Sequence, residues 1–258
     1  MKIINPQRYH ALVDQALSTP FTGWDFSWLD ERMVQEEPPW DYTSLVKTHL
    51  VNARSLLDMG TGGGEFLASL APLPPDTHAT ESYPPNQLIA EGRLAPLGVC
   101  LHNIQDKSRL PFDNQRFDLI LNRHDDFNPF EIYRTLKPGG RFITQQVGGL
   151  NNLEINQMLE DAISFPFTSW SLVSTETELS AAGLIVDRAE TAALRTQFLD
   201  IGALIYYLKA IPWQVEGFNT ETYAEKLVCL HNYIERQGSF STTAHRFLIL
   251  AHKEASKT

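Results

Sequence analysis

Residues 56–67 read LLDMGTGGGEFL. An apolar run meets the acid Asp58, and four glycines follow within five positions, at 60, 62, 63 and 64. Glycine loses more backbone freedom on folding than any other residue, so such a cluster needs a compensating gain. An apolar strand that turns on glycines into a helix offers one. The backbone can approach a ligand closely, and the helix N-terminus presents unpaired N–H groups. In an open parallel sheet, ligands bind at this place, outside the carboxyl ends of the strands. The stretch therefore predicts a strand over 55–59, a ligand cradle, and a helix beginning near Gly63 and ending before Pro72.

The flanking sequence supports this reading. Further strands are predicted at 78–83, 99–103, 116–123, 141–147, 184–192 and 241–253, from short β-rich apolar runs bounded by Gly, Pro and Asn. Helices are predicted at 6–18, 43–52, 85–97, 128–136, 175–182, 198–211 and 222–238 from apolar spacing and end signals. Pro85 suits a first helical turn, KPGG (137–140) stops a helix, and Gly183 suits a C-terminal cap. Alternating strands and helices imply an α/β fold, a doubly wound, mostly parallel sheet with helices on both faces. Residues 19–42 hold Phe21, Trp24, Phe26, Trp28, Trp40 and Tyr42 among prolines and acids, and read as irregular.

The residues around the glycines narrow the ligand. A phosphate-binding loop needs Lys followed by Ser or Thr, and here Glu65 and Phe66 stand instead. The dinucleotide fingerprint G-x-G-x-x-G has no glycine at 65 to complete it. Asp58 and Glu65 are badly placed for a pyrophosphate and well placed for a ligand with a cationic end.

LLDMGTGGGEF resembles motif I of the class I S-adenosylmethionine (SAM)-dependent methyltransferases, an acid followed by G-x-G-x-G. The likeness continues with Glu81 at the end of the second core strand. RFDLILNRHDDF (116–127) and EIYRTLKPGGRFITQQV (131–147) are similar to that family's fourth strand, helix, LKPGG turn and fifth strand. The likeness covers roughly residues 50–150 and comes nearest to uncharacterised bacterial members with a methyltransferase domain 11-like core. It implies a Rossmann-like, seven-stranded sheet whose last strand is antiparallel, and SAM as cofactor. The chain as a whole reads as one domain over 1–258, with a SAM-binding core at 46–194. An N-terminal cap or lid at 1–45 and a helical insertion at 195–240, an acceptor cap, would flank it.

Residue roles follow from the resemblance. Gly60, Thr61, Gly62 and Gly64 would shape the turn around the methionine part of SAM. Asp58 would meet its amino group or brace the loop through backbone N–H groups. Glu81, with Ser82 beside it, would accept from the ribose hydroxyls. Ile104, Gln105 and Asp106 occupy the adenine position, where Asp106 would accept from the adenine amino group or cap a turn. Asn122, Arg123 and His124 face the cofactor end of the sheet. His124 would act as a general base or would line the methionine pocket. His124, Asp125 and Asp126 are metal-ligand types, but adjacent residues rarely converge on one ion, so no metal is expected. Trp24, Trp28, Trp40, Tyr206 and Trp213 would line a substrate pocket, or fill the core of the cap.

Composition bounds the rest. The 258 residues are 43% hydrophobic and carry a net charge of -10, with no Lys/Arg-rich stretch. Non-specific nucleic-acid binding needs many cations, so nucleic acid is an unexpected partner and a small-molecule acceptor the expected one. No apolar run reaches the roughly 20 residues that span a bilayer. The first residues lack a signal-peptide pattern, so a cytoplasmic location is expected. Cys100 and Cys229 form no C-x-x-C and read as reduced thiols. The alternatives are an RNA or protein methyltransferase, or a non-catalytic SAM- or NAD-binding protein.

Overall fold

The structure is a computed structural model, and it describes residues 2–22, 24–106, 108–163 and 167–256. In chain order it runs α1 (Pro6–Ser18), β1 (Met33–Gln35), α2 (Tyr42–Leu50), β2 (Ser55–Met59), α3 (Glu65–Ser69) and β3 (Asp76–Glu81). Then come α4 (Pro84–Leu94), β4 (Cys100–Asn103), β5 (Phe117–Arg123), α5 (Pro129–Thr135), β6 (Leu136–Val147) and α6 (Leu153–Leu159). The chain ends with α7 (Leu172–Ala181), β7 (Leu184–Phe198), α8 (Ile201–Ala210), α9 (Ala224–Gln237) and β8 (Phe240–Lys253).

The strands form one sheet in the order β1-β7-β8-β6-β5-β2-β3-β4. β2 pairs in parallel with β3 and β5, β3 with β4, and β5 with β6. β8 is antiparallel to β6, from Arg141↔His252 to Val147↔Arg246. The mostly parallel α/β sheet with an antiparallel last strand is therefore as expected. It holds eight strands where seven were expected. The extra one, β1, lies in the stretch read as irregular and pairs antiparallel with β7 at the sheet edge. Its three residues are too short for an alternating pattern, so tertiary pairing alone defines it.

Other departures have similar causes. α6 was not expected; it follows an Asn152 in the left-handed conformation. β7 extends to Phe198, so α8 starts at Ile201, where the Asp200 carboxylate accepts from Ala203 N–H. β6 starts at Leu136 and carries KPGG as an interruption. Pairing jumps from Phe117↔Leu136 to Leu119↔Arg141, and Gly139 adopts φ 80.

The chain divides into two compact units. The first comprises residues 1–37, 150–167 and 193–245, the second 38–149, 168–192 and 246–258. In the second, alternation along β2 sends Leu56 and Leu57 to opposite faces of the sheet. Leu56 joins Val46, Leu67, Ala90 and Leu94, contributed by α2, α3 and α4. Leu57 joins Ile120, Ile132, Phe142 and Leu179, with α5 and α7 covering that face. Such two-sided burial is why all five residues of β2 are buried.

The first unit is built around α8, whose residues are buried on nearly every face. Ile201, Leu204, Ile205 and Leu208 pack with Ile155 and Leu159 of α6 and with Leu227, Leu230 and Ile234 of α9. The Lys209 ammonium donates to the carbonyls of Ala16 and Thr19 and so closes the C-terminus of α1. Arg32 grips Asp200 with two hydrogen bonds, 2.8 Å from Nε and 2.6 Å to Oδ1. Among the described residues no helix is long and apolar enough to cross a membrane.

Asp200 thus serves α8 as a cap and Arg32 as an ion-pair partner, in a poorly hydrated setting. Asp200→Ala removes both and leaves the guanidinium unmatched. We expect a loss of about 2–4 kcal/mol, read as a lower urea midpoint.

Candidate functional site at the carboxyl ends of β2, β3 and β5

The turn after β2 is held by β3. Gly60, Gly62 and Gly64 adopt φ values of 63, 63 and 80, in the left-handed region where a Cβ is strained. Space is also short. A Cβ at Gly60 would stand 2.5 Å from the Asp125 side chain, and one at Gly64 2.8 Å from Leu94. Thr61 N–H donates to the Thr80 carbonyl at 3.0 Å. Gly62 N–H donates to Oε2 of Glu81 at 2.7 Å. The other Glu81 oxygen accepts from the N–H groups of Ser82 and Tyr83, at 2.8 and 2.7 Å. Glu81 is 5% exposed, so these three donors are what make a buried carboxylate tolerable.

Asp58 lies at the end of β2, 4% exposed. Burial pushes its pKa up to about 7. The Thr61 hydroxyl and the Arg123 charge favour the ionised form without overcoming burial, and Asp125 and Glu81 oppose it. The Thr61 hydroxyl stands near without meeting hydrogen-bond geometry, and its oxygen is left unpartnered.

Asn122 at the end of β5 is fully buried. Its Oδ1 accepts from the Thr144 hydroxyl at 3.0 Å and from the Gln146 amide. Its backbone carbonyl accepts from the Tyr42 hydroxyl at 3.3 Å. Its Nδ2 has no partner. An orphaned buried amide donor costs roughly 1–3 kcal/mol, which points to a ligand acceptor.

Arg123 is exposed, with its guanidinium carbon 5.0 Å from the centre of the Phe66 ring. His124 follows at φ 63. Its Nε2 lies 3.1 Å from Nε2 of Gln145, whose Oε1 accepts from the Trp40 indole at 2.7 Å. Desolvation, then the Arg246 and Arg123 charges, pushes the His124 pKa down. The residue as a whole is exposed, so water tempers the size of that shift.

In the loop after β4, Ile104 is buried and its N–H donates to the Glu81 carbonyl at 3.1 Å. Gln105 and Asp106 are exposed. Asp106 accepts from Ser108 N–H at 2.8 Å, the turn-capping arrangement, and the Ser108 hydroxyl, then this N–H, lower its pKa. Trp24, Trp28, Tyr206 and Trp213 gather in the first unit, Trp28 4.6 Å from Tyr206 and Trp24 5.9 Å from Trp213. Trp40 belongs to the second unit, where its indole is buried and bonded to Gln145. Among the described residues no group of three or more His, Cys, Asp or Glu side chains could hold a metal ion.

Sequence reasoning missed Thr144, Gln145 and Gln146, and the role of Tyr42. The available signal was three consecutive polar residues closing an otherwise apolar strand. A strand buried on both faces has no reason to end that way unless the polar groups meet one another or a ligand.

Residues 57–144 match the family model described as "Methyltransferase domain". Over that stretch the sequence is similar to methyltransferase domains. Solved structures with this fold include a candidate methyltransferase from Bacillus halodurans C-125, at 18% identity and a TM-score of 0.62. That match covers 83% of this chain and 99% of that one. A protein of unknown function from Deinococcus radiodurans matches at 14% identity and TM-score 0.58, over 96% and 99% of the two chains. A candidate methyltransferase from Haloferax volcanii, seen in complex with the Trm112 methyltransferase activator, matches at 18% identity and TM-score 0.51, over 98% of each. No curated protein matches the sequence.

Asp58 is held at a cost with a defined pH dependence. Its folded pKa, about 7, exceeds the usual carboxylate value of 3.8. The native state therefore holds a proton that the unfolded chain gives up. That stabilisation is full below about pH 4 and is lost as pH rises towards 7. Asp58→Asn is expected to gain about 2–4 kcal/mol at pH 8.5 and markedly less at pH 5, read by urea denaturation at the two pH values.

Proposed function

We propose that this protein is a SAM-dependent methyltransferase that acts on a small-molecule acceptor in the cytoplasm. The observation that carries the proposal is the turn after β2. Its left-handed glycines are braced by a buried Glu81, beside an unpartnered Asn122 amide donor and a buried Asp58.

These residues fit the cofactor. Close-packed glycines leave the backbone of 60–64 available to a ligand and exclude side chains. Asp58 gains a reason to ionise when a cationic group comes near, as the amino group of SAM would. Glu81 offers a carboxylate already oriented by three backbone N–H groups to a pair of ribose hydroxyls. Ser82 follows it in the same turn. Buried Ile104 offers an apolar contact for adenine, with Gln105 and Asp106 at its polar edge. Asn122 and Arg123 close the β5 side.

When bound, SAM supplies an electrophilic methyl group, and the protein's share is alignment and exclusion of water. A cap formed by 1–45 and 195–240 is part of the same reading. It rests on the aromatic cluster of Trp24, Trp28, Tyr206 and Trp213 in the first unit. The acceptor is read as a small molecule because the chain carries a net charge of -10, which repels polyanions.

Thermal unfolding with SAM, S-adenosylhomocysteine and NAD in parallel tests the reading. At about 100-fold excess over Kd, SAM is expected to add about 2.7 kcal/mol, a rise in Tm of roughly 5–10 °C. Gly62→Arg is expected to abolish it. A response to NAD alone would replace the methyltransferase reading with a dehydrogenase-like one. Calorimetry at pH 7 in buffers of different ionisation enthalpy should also detect proton release on SAM binding, because a cation beside Asp58 lowers its pKa.

A further inference from the structure

Three side chains at the end of β5 fix one another's hydrogen-bond roles. The Trp40 indole nitrogen can only donate. It donates to Oε1 of Gln145 at 2.7 Å, with the indole ring 5% exposed. The opposite orientation of the amide would set two donors against each other, so the Gln145 NH2 group has to face away from Trp40. There it meets Nε2 of His124 at 3.1 Å. An amide NH2 only donates, so this ring nitrogen accepts. A histidine nitrogen accepts only when it carries no proton, and a neutral imidazole then holds its proton on Nδ1. The backbone reinforces the placement, since His124 N–H donates to the Gln145 carbonyl at 2.9 Å. The charges acting on the ring are both cationic, Arg246 from β8 and Arg123 from the end of β5. Both disfavour an imidazolium.

We propose that Trp40 and Gln145 hold His124 as the neutral Nδ1–H tautomer, so that the site receives from it a hydrogen-bond donor and not a general base. Trp40 and Gln145 are then positioning residues. Trp40 acts on the site through its indole N–H and not as part of an aromatic pocket. The tautomer stands on the geometry of three side chains. Its use toward a methyl acceptor rests on the methyltransferase reading. An acceptor that reaches His124 meets a donor and keeps its own protons, so any deprotonation belongs to another group or has occurred before binding.

Long-range 1H–15N correlation spectra of the full-length protein with 15N-labelled histidine test this directly, with His124→Gln supplying the assignment. The expected signature is a protonated Nδ1 and a bare Nε2 at pH 7, unchanged between pH 5 and 8. Gln145→Glu is expected to reverse the tautomer, because a carboxylate accepts where the amide donated, and to raise the His124 pKa by about 1–3 pH units. Trp40→Phe is expected to release the amide and mix the two tautomers. If it fails to fold, Gln145→Glu, at a half-buried position, decides alone. An Nε2–H signature in the unaltered protein, a titration near pH 6.5, or a Gln145→Glu spectrum with the original tautomer would overturn the proposal. Each readout is made without cofactor, so its failure is separate from a failure to bind SAM.

Discussion

The hydrogen bond from Gly62 N–H to the Glu81 carboxylate joins the two strand ends on which the site depends. β2 is buried along its whole length, so its backbone finds partners only in β3 and β5 until the strand stops. Beyond Met59 the chain has to turn at once, through conformations that only glycine enters without strain. Such a turn has no intrinsic preference for one shape. Glu81 and the Thr80 carbonyl supply it by capturing successive N–H groups. The same carboxylate then fixes the start of the next segment through Ser82 and Tyr83. One acid thereby sets the geometry of two loops.

The polar groups behind these loops form a second layer. Asn122, Thr144 and Gln146 share hydrogen bonds at a depth where an unsatisfied partner is expensive. Gln146 also reaches the Asp125 carbonyl at 2.9 Å, which ties the loop after β5 to β6. That loop approaches Gly60 so closely that no other residue fits there. Asp58 is the least favourable member, a carboxyl held where it prefers to keep its proton. Natural sites accept such local cost where function needs a poised group, and the core on either face of β2 offsets it.

Much of this was legible in the sequence because it rests on local rules. β2 begins and ends at the expected residues, and α1 likewise, since apolar spacing and Pro6 define it. Gly60–Gly64 were read as a cradle from glycine spacing, and Glu81 was added to it only through the family resemblance. What escaped was defined by partners distant in sequence. β1 exists only through β7, and the indole of Trp40 finds its role 105 positions away at Gln145. Aromatic content alone placed Trp40 with Trp24 and Trp213, because composition carries no information about which ring stands beside which. Asp106 lay within reach of both readings, and its contact with Ser108 realises the turn.

The discontinuous make-up of both units bears on how the chain acquires its structure. The first unit needs residues 1–37 together with residues up to 245, and the second needs the segment beyond 246. The pairing of Arg141 with His252 closes the sheet only after β7, α8 and α9 have been synthesised. Contacts of such high sequence separation slow folding, and neither unit is complete on a nascent chain that stops short of β8. β6 therefore waits on the ribosome with one edge bare, and a bare apolar strand edge is a site of mispairing between chains. The edge of β6 that β8 covers is the last of the parallel core to find its partner, far in sequence from the glycines of the turn after β2.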